Sequence, residues 1–231
     1  MPVEAVLFSI PFDVAPYRLS GTVYGTLLNH RSALAALGDA ASRPPYNAPP
    51  KAPVLYIKPR NTLALSGSVV RIPRDTPELE VGACLGLVIG RTACKVSESQ
   101  ALDYVAGYLI VADVSVPHAT FHRPSIRFKA RDGFCPLGPA VTARASVVNP
   151  DALSIRSYLD NALQQTSSTA DLIRPAARLL ADVTEFMTLA PGDVLALGAA
   201  APALRARAGQ TVRIEIDGLG SLSNPFMGDA A

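Results

Sequence analysis

The chain has no tryptophan in its 231 residues, only three cysteines, three histidines and three methionines, and just 17% charged residues. Each shortage removes a class of protein. Cys84, Cys94 and Cys135 are too few for a disulfide framework and form no CxxC metal pair. Their odd number suits a reducing compartment, so a cytoplasmic location is expected. Lysine and arginine never run together long enough to track a phosphate backbone, and the net charge is only +2, which removes nucleic acid as a partner. No segment approaches the roughly 20 consecutive apolar residues of a membrane span, so no membrane is expected either. The apolar start, MPVEAVLFSIPFDVAPYR, lacks a basic leader and carries Glu4, Pro11 and Asp13, unlike a signal peptide.

What is there is apolar and rich in turns: 49% hydrophobic residues, 20 prolines and 16 glycines, the composition of a globular chain with a sizeable core. No internal repeat is visible. Short β-prone runs at 3–9, 21–28, 53–59, 68–72, 153–159, 194–197 and 212–216 read as strands, and Asp160-Asn161 as a hairpin turn. The almost wholly apolar run VGACLGLVI, 81–89, reads as a strand covered on both faces. Three helices are expected. One follows Asn29 as cap and ends at Gly38; a second starts from Ser97 with Gln100 three residues on; the longest runs from Ser168 or Thr169 to about Met187, with Pro175 forcing a kink or a later start. Ser42 to Pro53 holds five prolines in twelve residues and must be a loop, placed to act as a rim or lid.

The chemistry concentrates between Asp113 and Gly138, DVSVPHATFHRPSIRFKARDGFCPLG. Asp113 follows the buried-strand run Tyr108-Leu109-Ile110-Val111, and Lys129 lies in a basic stretch that ends in the turn signal Asp132-Gly133. A carboxylate and a lysine at one strand mouth suit proton transfer, or a metal beside a general acid. They equally suit a turn-capping Asp and a solvated lysine. His118 and His122 are further proton-donor candidates, since imidazole titrates near neutrality.

Several stretches together resemble the fumarylacetoacetate hydrolase superfamily: LNHRSAL (28–34), YNAPPKAPVLYIKPRNT (46–62), VIGRTACKVSESQALDYVAGY (88–108), RFKARDGFCPLG (127–138), TADLI (169–173) and EFMTLAPGDVLALG (185–198). The likeness is narrower still to the amino-terminal half of the two-domain isomerase/decarboxylases of homoprotocatechuate (4-hydroxyphenylacetate) degradation. It covers 21–231 as one domain, with 1–20 as an N-terminal extension. The resemblance implies an α+β, mostly β fold, a mixed β-roll with a few peripheral helices, usually dimeric. It implies Mg2+ or a similar divalent cation, held by an ExE pair and a later Asp, that chelates a 2-oxo-carboxylate.

Carried across, the resemblance makes Asp113 the later metal ligand and Lys129, Asp132 and His30 the catalytic candidates. Arg60, Arg127, Arg131 and Gly133 become the substrate-binding candidates. The ExE positions, however, fall on Gly82 and Cys84, neither able to offer a hard oxygen ligand. Glu78 and Glu80 lie about 13 Å upstream along an extended strand and would join only if that strand is bulged. The family's usual histidine position is Ala33, with His30 three residues early. A familiar Gly-Thr-Pro has become Gly198-Ala199-Ala200-Ala201-Pro202. No tightly bound metal is therefore expected in the chain alone.

The implied activity is decarboxylation of 5-oxopent-3-ene-1,2,5-tricarboxylate, a small tricarboxylate ligand. Two alternatives stay open: an impaired half that pairs with a metal-competent paralogous isomerase half, as heterodimer rather than homodimer, or another hydrolase or isomerase of the superfamily.

Overall fold

The computed structural model describes residues 22–118, 123 and 125–229, so the strand expected at 3–9, the extension 1–20 and His122 lie outside the described residues. The described chain runs β1 (Val23–Leu27), α1 (Arg31–Leu37), β2 (Val54–Lys58), β3 (Leu63–Leu65), β4 (Val70–Ile72), β5 (Leu79–Ile89), β6 (Val105–Ser115), α2 (Ile126–Lys129) and β7 (Cys135–Ala143). It continues through β8 (Ser154–Leu159), β9 (Ala162–Ser168), α3 (Ala176–Thr184), β10 (Val194–Ala196), β11 (Leu204–Ala206), β12 (Thr211–Ile216) and β13 (Gly220–Gly228). The fold is mostly β, as the sequence implies.

Two sheets carry the architecture. The larger follows the order β2-β1-β10-β5-β6-β7-β3, with β11 pairing beside β10 on β5, and the smaller follows β4-β13-β12-β8-β9. The two ends of the larger path, β2 and β3, are joined by only the short 3-10 turn Arg60–Thr62. A chain that crosses from one edge of a sheet to the other in four residues requires the sheet to curl back on itself, which makes it a roll.

Side chains alternate across a strand, so β5 and β6 each serve two interiors. Leu79, Val81, Ala83, Leu85, Leu87 and Ile89 face the main core, filled by the smaller sheet and by Leu179, Leu180 and Val183 of α3. Cys84 and Val88 of β5, with Leu109 and Val111 of β6, face a second core completed by Cys135, Leu137, Val194 and Ala196. Burial on both faces explains why the sequence of β5 reads as an unbroken apolar run rather than an alternating one. Each fully buried Leu or Ile contributes about 1.5–3 kcal/mol to holding these layers together.

Local signals mostly land where the residues place them. Asp160 and Asn161 take positive φ, 48° and 68°, and link β8 to β9 as a tight hairpin. Gly38 ends α1. Three expectations need correction. Asn29 does not cap α1; it is buried and staples 3 segments, its Nδ2 donating to the carbonyls of Leu197 and Arg174 and its Oδ1 accepting from the Arg174 amide. The cap is His30, whose Nδ1 accepts from the Ser32 amide. The stretch after Ser97 winds as a 3-10 helix, Glu98–Tyr104, rather than an α-helix. The longest helix starts late: β9 occupies 162–168, Pro175 stands at the cap of α3, and the Asp151 carboxylate accepts from the Ala176 amide at 2.7 Å. A carboxylate there satisfies an amide that the helix leaves orphaned, and tertiary packing thus sets an end that local sequence left open.

Candidate active site

Asp113 lies two residues from the end of β6, directly opposite Gly82 of β5, and shares the face that carries Val111 and the second core. The hydrophobic interior of the roll therefore ends on this carboxylate. Its two oxygens meet two ammonium groups: Lys129 Nζ lies 2.6 Å from Oδ2, and Lys58 Nζ lies 3.0 Å from Oδ1. All three side chains are buried, Lys58 to 1% exposure.

The two lysines play different parts. Lys58 donates to the carbonyls of Val114 (2.5 Å), Lys129 (2.9 Å) and Phe134 (2.8 Å). An ammonium has three N–H groups, so all are spent on backbone, and Asp113 Oδ1 receives its charge without a hydrogen bond. Lys58 thus ties the end of β6, the backbone of α2 and the start of β7 into one unit. Lys129 donates to Asp113 and stacks over the Tyr56 ring, 4.4 Å from its centroid. Among the described residues no backbone carbonyl takes its other N–H groups. The Tyr56 ring crosses the roll over Gly25, the residue opposite it in β1; any side chain at Gly25 would strike that ring.

Burial alone would raise the Asp113 pKa, but the Lys129 and Lys58 charges override it and hold the carboxyl well below its usual range. Burial pushes the Lys58 pKa down, against the opposing pull of Asp113. Burial together with the Asp113 charge drives the Tyr56 phenol well up, and the Cys135 thiol is pushed up to about 12. Cys84 rises likewise, so both thiols are protonated and inert at neutral pH.

A cavity of about 330 Å3 opens onto this pair. Thr26, Asp113, Ser115, His118 and Lys129 give it a polar side; Ala33, Ala36 and Leu37 of α1 with Ala199, Ala200 and Ala201 contribute to an apolar one; Glu80 and Arg205 also line it. His118 is fixed there by stacking on Phe128, with ring centroids 4.9 Å apart, and by contact of its Nδ1 with the Val116 carbonyl at 2.9 Å. A larger surface hollow, about 540 Å3, lies beside α3, but its Arg174, Arg178, Asp182 and Glu98 pair with one another. The smaller cavity, with its buried carboxylate and ammonium groups, is the candidate site.

The other expected residues sit elsewhere. His30 does not line the cavity; its Nδ1 contacts the Ser32 hydroxyl at 2.9 Å, and that hydroxyl accepts from the Ala201 amide, so His30 secures the alanine loop from behind. Burial lowers its pKa and favours the neutral ring. Asp132 is exposed and accepts from the Asn61 side chain at 2.7 Å, holding the turn in which Gly133 takes φ 72°. Arg127 is exposed, because two residues along a helix rotate it about 200° away from Lys129. Arg131 donates its Nε to the Arg127 carbonyl, and Arg60 lies exposed in the 3-10 turn; neither they nor Gly133 line the cavity. Lys58, Tyr56 and Arg205 are the residues that sequence reading missed. A period-2 signal was present, since Val54, Tyr56 and Lys58 share one face of β2 while Ile57 on the other is 53% exposed.

The donor set does not fit a divalent cation. β5 is regular from Glu80 to Val88, without the bulge that would bring the upstream glutamates to Asp113. Glu78 and Glu80 instead accept from Arg205 at 2.7 and 3.0 Å, and Glu78 also from Arg207 at 3.1 Å. Among the described residues no group of three His, Cys, Asp or Glu is placed to hold a metal. Asp113 is a single carboxylate already faced by two ammonium groups, where a hard cation wants six or more oxygens.

Residues 22–227 match the family described as Fumarylacetoacetate (FAA) hydrolase C-terminal. Over 211 residues the chain is 42% identical to a 4-hydroxyphenylacetate degradation bifunctional isomerase/decarboxylase of Salmonella dublin, covering 91% of this chain and 48% of that one. The chain therefore spans about half the length of this curated relative. It is 34% identical to a mitochondrial oxaloacetate tautomerase of Xenopus laevis over 188 residues, 77% of this chain and 59% of that one. Among solved structures, a 5-carboxymethyl-2-hydroxymuconate delta-isomerase from Mycobacterium smegmatis superposes with a TM-score of 0.79 at 27% identity, covering 93% of this chain and 82% of its own. With a roll that matches in shape, and a family match that runs almost from the first described residue to the last, the chain belongs to the fumarylacetoacetate hydrolase family.

Proposed function

We propose that the chain decarboxylates a 2-oxo-acid-like polycarboxylate of aromatic catabolism, of the type of 5-oxopent-3-ene-1,2,5-tricarboxylate. The observation that carries this reading is the Lys129–Asp113 pair, 2.6 Å apart, at the wall of a cavity sized for one small ligand. The likeness to a 4-hydroxyphenylacetate degradation isomerase/decarboxylase and to a 5-carboxymethyl-2-hydroxymuconate delta-isomerase supports the substrate class.

In the reaction the C–C bond to the leaving carboxylate breaks and its electron pair flows into a dienolate; CO2 departs, and one proton returns to carbon. The developing oxyanion needs fixed positive charge, which a buried ammonium supplies without reorganisation. Lys129 provides that charge and the proton. Asp113, held ionised, accepts from Lys129 and aims it. Lys58 holds the backbone on which both stand, and the alanine wall keeps water from the carbanion.

A second reading has its own support in the half-length match: the chain as one partner of a paralogous isomerase half, the two pairing as heterodimer. Turnover of the tricarboxylate, followed by CO2 release, decides between them. Release by the purified chain alone, lost in Lys129→Gln, sustains the first reading; release only after a metal-competent paralogue is added sustains the second. Silence in both mixtures would end the decarboxylase proposal.

A further inference from the structure

We infer that the cavity takes its 2-oxo acid ligand without a metal ion, the Lys129 ammonium supplying the positive charge that a divalent cation would otherwise bring. The inference rests on the proposed substrate class, and it deepens that reading by naming what holds the ligand's oxygens.

Three features close the cation's place. A Cβ on Gly82 would lie 2.8 Å from the Ala199 Cβ and 3.6 Å from the Asp113 Cβ, so any side chain there, ligating or not, collides with the alanine loop. Cys84 shares the face of Asp113 but is a buried member of the second core, its thiol 3.9 Å from the Gly82 carbonyl, and it offers sulfur where a hard cation wants oxygen. Glu80, the other carboxylate on the lining, is held by Arg205 at 3.0 Å. Meanwhile both oxygens of Asp113 already face ammonium nitrogens, at 2.6 and 3.0 Å, and a doubly charged ion beside them would be repelled by each.

What remains is suited to an anion. Two ammonium groups against one carboxylate leave a positive excess in a buried place, and among the described residues no backbone carbonyl takes the other N–H groups of Lys129. Thr26 adds a second donor: its hydroxyl is buried, lines the same cavity and has no partner among the described residues. A buried hydroxyl left unpaired is costly, so a ligand oxygen in its reach is favoured. A carboxylate or enolate can accept from Lys129 and Thr26 together.

The test uses the full chain stripped of metal with a chelator, and oxalate, a flat mimic of a 2-oxo acid enolate, as probe. Titration calorimetry should show oxalate binding in chelator, changing by less than roughly twofold when Mg2+ replaces it, while the spin-resonance signal of added Mn2+ stays that of the free ion. Lys129→Gln should weaken oxalate at least about tenfold, and Thr26→Val severalfold, each checked for a native melting curve. Thr26→Val guards against a Lys129 variant that fails to fold. Binding that requires Mg2+ or Mn2+, stoichiometric Mn2+ uptake, no oxalate binding under either condition, or full affinity in both variants overturns the inference. Metal-free oxalate binding without any decarboxylation would sink the proposed activity and leave this inference standing.

Discussion

Two acid–base clusters lie at the same end of the large sheet, and they behave as opposites. Inside the roll, Asp113 meets Lys58 and Lys129 with all three buried; at the rim, Glu78 and Glu80 meet Arg205 and Arg207, whose side chains are 52% and 72% exposed. Both clusters pair carboxylates with cations at under 3.5 Å. The difference is solvent. At the rim, water screens each charge and competes for each hydrogen bond, so the pairs are worth little. In the interior the same groups have no alternative partner, and their charges are fixed in place. Proximity of opposite charges in a sequence or a structure is therefore no guide to chemistry until burial is known.

The comparison breaks first at Lys129. Replacing it with Met should lower the turnover number by roughly a hundred- to ten-thousand-fold, the range for a lost general acid, and steady-state kinetics on the tricarboxylate checks this. Retained activity would make the interior cluster as idle as the rim. Lys58→Met should cost about 3–5 kcal/mol, because it strips three backbone carbonyls and leaves Asp113 with half its neutralising charge. Urea unfolding measures that loss.

Acid offers a graded version. The folded carboxyl of Asp113 is depressed, so its contribution is complete above the unfolded carboxylate value of about 4 and drains away as pH falls toward the folded one. The stability gap between the wild type and Asp113→Asn should therefore narrow from pH 6 to pH 3; a gap independent of pH would show that the pair is not held ionised. The smallest effect belongs to the rim. Arg207→Ala should change stability by less than about 1 kcal/mol and should lose even that in high salt.

Much of this was legible along the chain. The apolar run of β5, the Asp-Asn hairpin and the Gly38 stop are local signals that nothing in the tertiary structure overrode. So was the meeting of Asp113 with Lys129, since sixteen residues separate them and α2 brings the chain straight back across the strand it left. His30, Asp132 and the arginines were misplaced for one reason: a short polar stretch has no periodicity strong enough to say which side chain turns inward. Lys58 was missed because a lysine before a proline at a strand end looks solvated. Its burial depends on carbonyls 56, 71 and 76 residues further along.

By itself, the sequence determined the composition of the interior: which strands are apolar on two faces, where turns must fall, and that the ExE positions hold Gly82 and Cys84. Only the tertiary structure decided which charges those interiors would enclose. Curling the sheet until β2 and β3 lie one short turn apart carries Lys58 beneath Asp113, and the long return through β10 sets Ala199 against Gly82. Local preference acts over a few residues, whereas burial is a property of the closed surface, and the chemistry of a charged group follows burial.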